Sequence, residues 1–94
     1  MDMSQVAKVS KALADPTRLR LYQTIAAKGE VFCGELVEQG GLAPGTVSHH
    51  LKTLAEAGLI ECRREGQFIY NRALPAALRQ YTTALQGLGR AKAR

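Results

Sequence analysis

The chain has no tryptophan, only two cysteines and no stretch of eighteen apolar residues. Without such a run, no helix is expected to span a membrane. Cys33 and Cys62 are too few and too far apart for a disulfide framework or a cysteine-rich zinc site. In a reducing cytoplasm they default to small, buried or half-buried hydrophobes. The opening Met1-Asp2-Met3-Ser4-Gln5 has no basic segment leading into an apolar one, so it is not read as a secretory signal and a cytoplasmic location is expected. There is no glycine-rich phosphate loop, no paired-carboxylate motif and no nucleophile–base–orienter set, so an enzyme is the least favoured class and no cofactor is expected. Repeats, low-complexity segments and linkers are absent too. Ninety-four residues then make one domain, 1–94, with a modest core.

The charge is unevenly distributed. Residues 1–62 carry six Lys/Arg against seven Asp/Glu, a net of −1, and residues 63–94 carry seven against one, a net of +6. Basic charge gathered in one third of a chain suggests a surface meeting a polyanion. Part of it, Arg90, Lys92 and Arg94, forms a basic tail at about 87–94 that would also serve as a solvated end.

The stretch from Gly41 to Gly58 holds the clearest pattern. Pro44 suits the first position of a helix and Gly58 a C-terminal cap, so a helix is predicted from Pro44 to about Ala57. Val47, Leu51 and Leu54 draw a narrow apolar stripe along it. Gly45, His49, Lys52 and Glu56 fall roughly opposite, flanked by Thr46 and Ser48, with His50 at the stripe's edge. The first two turns carry no acid. Small donors and acceptors there suit a major groove, although a merely solvated amphipathic helix has the same pattern.

Earlier in the chain, Val6, Val9 and Leu13 line a first helix over Ser4–Ala14. Asp15 is a good N-cap and Pro16 a good first residue for a second helix, which Gly29 ends after Lys28. Glu30-Val31-Phe32 is a brief extended segment, and a two-turn helix follows over Cys33–Gln39. Two short helices joined by a glycine turn form a helix-turn-helix. Downstream, residues 59–64 and 67–72 are β-prone runs around a Glu65-Gly66 turn, which predicts a hairpin with Arg63 and Arg64 at its tip. After a helix-turn-helix, such a hairpin is a wing placed to touch phosphates or enter a minor groove, or else an ordinary hairpin whose charges protect its edge. Leu78, Tyr81, Leu85 and Leu88 give the last helix, opened by Leu74-Pro75, a heptad-like seam. That seam either packs on the chain's own core or joins the first helix in a homodimer interface. Gly87 and Gly89 predict fraying before the tail.

Five segments in this order, Lys11-Ala-Leu-Ala-Asp-Pro-Thr-Arg-Leu-Arg20, Glu30-Val-Phe-Cys-Gly-Glu-Leu36, Thr46-Val-Ser-His-His-Leu-Lys52, Leu54-Ala-Glu-Ala-Gly-Leu-Ile60 and Arg63-Arg-Glu-Gly-Gln-Phe-Ile-Tyr70, resemble the ArsR/SmtB family of bacterial transcriptional repressors. The resemblance covers roughly residues 6–85. It implies a mainly α winged helix-turn-helix of order α-α-(β)-α-α-β-β-α, dimerising through its first and last helices. It also implies a repressor that binds a palindromic operator and leaves when an inducer binds. By position, Thr46, Ser48, His49 and Lys52 match the groove-facing helix, and Arg63, Arg64 and Gln67 match the wing. Val6, Val9, Leu78, Tyr81 and Leu85 match the dimer helices.

The departures from the family pattern bear on the inducer. Where the family's arsenic and cadmium sensors typically carry Cys-x-Cys, this chain has Phe32-Cys33-Gly34, one thiolate where a thiophilic ion needs two or three. The family's zinc, cobalt and nickel sensors draw Asp and His ligands from the last helix, yet residues 75–94 contain no Asp, Glu or His. No metal site is therefore expected. Cys33 and Cys62 stay candidate sensor thiols, Cys33 because a helix N-terminus lowers a thiol pKa. In the family's fold they would stand a strand or more apart, too far for a disulfide. A metal site built from Cys33 with His49 or His50 is a further alternative, but adjacent helical histidines point about 100° apart and cannot chelate one ion together.

The expected function is a homodimeric repressor in which Thr46, Ser48 and His49 read base edges. Lys52, Arg63 and Arg64, with Arg18 or Arg20, would hold phosphates of double-stranded operator DNA. A winged-helix protein-interaction module is the alternative. It would call for exposed aromatic or aliphatic anchors around residues 45–52, where there are none.

Overall fold

In the computed structural model, which describes residues 1–90, the elements follow the order helix, helix, strand, two helices, a hairpin and a last helix. Helix α1 spans Met3–Leu13, one residue ahead of the expected start. Asp2 and Gln5 form a capping box there: the Gln5 amide donates to Asp2 Oδ1 at 2.8 Å and the Asp2 amide to Gln5 Oε1 at 3.4 Å. Helix α2, Pro16–Lys28, has the predicted bounds. The Asp15 carboxylate accepts from the Arg18 amide at 2.9 Å, and Gly29 closes the helix at a φ of +85°, which a side chain would strain.

Strand β1, Glu30–Phe32, leads directly into α3, Cys33–Gly40, and a short turn leads into α4, Pro44–Glu56. Strands β2, Ile60–Glu65, and β3, Phe68–Ala73, form the hairpin. The sheet is antiparallel with order β1-β3-β2, Val31 and Cys62 both standing opposite Asn71. Because Glu65 pairs with Phe68, the turn is Gly66-Gln67, one residue later than expected. Gly66 takes the first central position with φ +61°, and no residue other than glycine has positive φ among the described residues, which is the pattern of a type II′ turn. The correction moves Arg63 and Arg64 off the tip and into β2.

Val9, Ile25, Leu36, Val47, Leu54 and Leu59 fill one core between the helices and the inner face of the sheet. Burying each such side chain contributes on the order of 1.5–3 kcal/mol. Asn71 is the one buried polar side chain among the described residues, and it is satisfied: its Nδ2 donates to the Val31 carbonyl at 3.2 Å and its Oδ1 accepts from the Cys62 thiol at 3.2 Å. One amide thus ties β3 to both neighbouring strands.

Helix α5, Pro75–Arg90, is unlike the others because none of its residues is fully buried. It continues through Gly87 and Gly89 rather than fraying: isolated glycines cost a helix about 1 kcal/mol each without interrupting its hydrogen-bond ladder. Lys92 and Arg94 of the expected basic tail lie outside the described residues. No helix among the described residues is long and apolar enough to cross a membrane.

Candidate nucleic-acid interface

Helix α4 presents two opposite faces. Val47, Leu51 and Leu54 are 0%, 4% and 0% exposed and seat it in the core. Thr46, Ser48, His49 and Lys52 are all exposed on its other side, as the periodicity requires. The only acidic residue of α4 is Glu56, its last. Two turns of hydroxyl, imidazole and ammonium groups are thus open, with no carboxylate to repel phosphate.

The wing is less uniform than its sequence. Arg64 is exposed and has no ion-pair partner among the described residues, and Gln67 is exposed at the turn. Arg63 is engaged on the outer face of the sheet. Its Nη1 stands 3.1 Å from Glu30 Oε2, its Nε 3.4 Å from Glu65 Oε2, and its guanidinium carbon 4.9 Å from the centre of the Tyr70 ring. Beside it Arg72 pairs with Glu61, whose hydrogen bond and charge raise the guanidinium pKa still further. Phe32 packs edge-on to Phe68 at 5.8 Å between ring centres, which completes this face. The pairing of Arg63 with Glu30 spans 33 positions, so no local pattern announces it.

The two arginines of the Asp-Pro-Thr-Arg-Leu-Arg segment also divide. Arg20 is exposed. Arg18 is bound inside the fold: its Nε donates to the Ala12 carbonyl at 2.6 Å and its Nη2 to the Lys11 carbonyl at 3.3 Å. Its Nη1 lies 3.1 Å from His50 Nδ1. His50, at the edge of the apolar stripe, is the half-buried member of the histidine pair, and its ring stands 51° from that of His49. No cluster of three or more metal-ligating side chains occurs among the described residues.

Both cysteines are free, Cys33 half-buried at the start of α3 and Cys62 exposed on β2. Partial burial of the sulfur, and then the nearby Cys33, push the Cys62 thiol pKa up.

The expected dimer residues separate into two groups. Val6 and Val9 are 5% and 0% exposed within the single chain and so pack into the subunit's own interior. Leu78 and Tyr81 are half-buried, and the Tyr81 hydroxyl is 2.7 Å from that of Ser10 on α1. Leu85 and Leu88 remain 40% and 46% exposed farther along α5.

A helix-turn-helix domain family model matches residues 13–63, just over half of the chain. The chain is 39% identical over 80 residues to the arsenic resistance transcriptional regulator ArsR1 of Pseudomonas putida, covering 85% of this chain and 62% of that protein. It is 38% identical over 82 residues to the biofilm growth-associated repressor of Xylella fastidiosa, covering 87% of this chain and 71% of the repressor. Its fold matches the homodimeric winged helix-turn-helix DNA-binding domain Mb0332 of Mycobacterium bovis with a TM-score of 0.75 and 31% identity, over 94% of this chain and 82% of that one. The chain belongs to the ArsR family. Its architecture is accordingly the family's winged helix-turn-helix, with α3 and α4 as the helix pair and β2–β3 as the wing. Both the fold and the family are those of DNA-binding transcriptional regulators.

Proposed function

We propose that residues 1–94 form a single cytoplasmic DNA-binding unit that acts as a homodimeric repressor, with α4 of each subunit in successive major grooves of a palindromic operator. The observation that carries this reading is the open face of α4: Thr46, Ser48, His49 and Lys52 are exposed together, and no acid stands on the first two turns. Thr46, Ser48 and His49 read base edges, and Lys52 holds phosphate. Arg64 and Gln67 extend the contact from the wing, with Arg63 a weaker contributor because Glu30 and Glu65 already balance it. Arg20 replaces Arg18 as the further phosphate contact, since the guanidinium of Arg18 is committed within the subunit. The chain acts by occluding a promoter, with no catalytic step. The test is titration of labelled DNA from the protein's own upstream region against random duplex of equal length. Tight, sequence-dependent binding is expected, with discrimination reduced by about 1–3 kcal/mol in Ser48→Ala or His49→Ala. Unchanged discrimination in both variants would remove them from base readout. Equal affinity of the wild-type protein for the two DNAs would favour a protein-interaction module.

For the releasing signal, a thiol is the reading to test first, against an inducer of other chemistry or none. Cys33 stands at the first turn of α3, and Cys62 lies exposed on β2 with its thiol donating to Asn71 Oδ1, so both are candidate sensor thiols and Cys33 is the first to test. Loss of operator binding on persulfide treatment, abolished in Cys33→Ser, is the expected result. Equal loss in that variant would assign the signal elsewhere.

A further inference from the structure

The stripe that seats α4 is apolar, and apolar burial has no direction of its own. Such a stripe decides which side of the helix faces the core but supplies no directional contact to fix the rotation more finely. Nor does the helix start fix it: the N-cap is Ala43, which offers no side-chain hydrogen bond. Among the described residues a single side-chain hydrogen bond joins α4 to another element, between Arg18 and His50. His50 directly follows His49 and stands four residues, about one turn, after Thr46, so whatever holds His50 holds the base-facing side chains.

From this arrangement we infer that Asp15, Arg18 and His50 form a lock that sets the rotation of α4, so that Arg18 and His50 determine sequence specificity without touching DNA. The inference rests on the reading of α4 as the base-reading helix. Arg18 is braced from both sides. Its Nε and Nη2 are held by the Ala12 and Lys11 carbonyls near the end of α1, and its own amide is held by Asp15 at the start of α2. The third arm of the guanidinium therefore reaches α4 from a fixed point. Arginine only donates, so His50 Nδ1 accepts and the ring proton sits on Nε2. That Nε2 faces the Asp15 carboxylate at 3.8 Å, and the ring is 13% exposed. A base-reading group has to stay within about 0.5 Å and 10–20° of its productive geometry. A directional bond to a braced donor supplies that constraint where an apolar stripe does not.

The test compares His50→Leu, which fills the space without an acceptor, with His50→Asn, whose amide oxygen replaces Nδ1. Affinities for upstream-region DNA and for random duplex are measured for both variants and the wild-type protein, with fold checked by circular dichroism and dimerisation by mass. His50→Leu is expected to lower the ratio of the two affinities at least tenfold while random-duplex affinity stays within twofold, and His50→Asn is expected to restore most of the ratio. Nitrogen-15 NMR of the wild-type protein is expected to show His50 with its proton on Nε2. An unchanged ratio in His50→Leu, or a parallel loss of both affinities, would overturn the lock. Should His50→Leu fail to fold, a proton found on Nδ1 in the wild-type protein would overturn it as well. A wild-type protein that does not discriminate between the two DNAs would remove the base-reading proposal, and the lock with it. Discrimination retained equally by the wild-type protein and His50→Leu would remove the lock alone.

Discussion

Helices α4 and α5 are both amphipathic, and they leave opposite faces open. Helix α4 buries Val47, Leu51 and Leu54 in its own subunit and turns hydroxyl, imidazole and ammonium groups outward. Helix α5 buries no residue fully and leaves Leu85 and Leu88 nearly half exposed. The open face of each helix suits a different kind of partner. A polar face with no acid at its leading end suits a polyanion. An apolar seam open to water suits another apolar seam, and a homodimeric relative of the same fold exists.

The largest effect expected from breaking this contrast is that of Leu85→Asp. A charge buried without a partner costs on the order of 3–5 kcal/mol, so the dimer is expected to fall to monomer mass at micromolar concentration in analytical ultracentrifugation. An unchanged mass would place the interface elsewhere. Next comes Leu54→Ala, on the closed face of α4. Removing a fully buried leucine costs about 2–5 kcal/mol through lost transfer energy and the cavity left behind. The urea midpoint is expected to fall accordingly, with no change in discrimination once the protein is folded. The smallest effect separates the two wing arginines. Arg64→Ala is expected to reduce the salt slope of DNA binding by about one, and Arg63→Ala by less, because Glu30 and Glu65 already neutralise that side chain. Equal slopes would mean that Arg63 exchanges its carboxylates for phosphate when DNA binds.

Local signals placed most of the fold. Asp15-Pro16 and Lys28-Gly29 bound α2 at the expected residues because cap, ring and left-handed glycine all act within a turn of the helix end. Pro44 and the stripe beginning at Val47 did the same for α4. The Asp2–Gln5 box, a capping pair three residues apart, was a local signal left unused, and it explains the earlier start of α1. The turn was placed one residue early because both a Glu-Gly and a Gly-Gln pair fit the same stretch, and only strand register decides between them. The sequence could not show which apolar seam residues stay inside the subunit. Val9 and Leu85 share the same periodic signature, yet one is fully buried and the other open. Nor could it show that Arg63 meets Glu30 or that Arg18 meets His50, contacts 33 and 32 residues apart that exist only once the sheet and the helices have docked. The candidate face on α4 was therefore readable residue by residue, whereas the side chains that support it or compete with it were not.

The most direct measurement is a methylation-interference footprint of the reduced protein on its own upstream DNA, since modified guanine N7 atoms report major-groove contact. The predicted result is two interfering tracts related by a dyad, with centres about 10–10.5 base pairs apart. A single tract, or no interference where the protein binds, would contradict a dimer that reads DNA with α4.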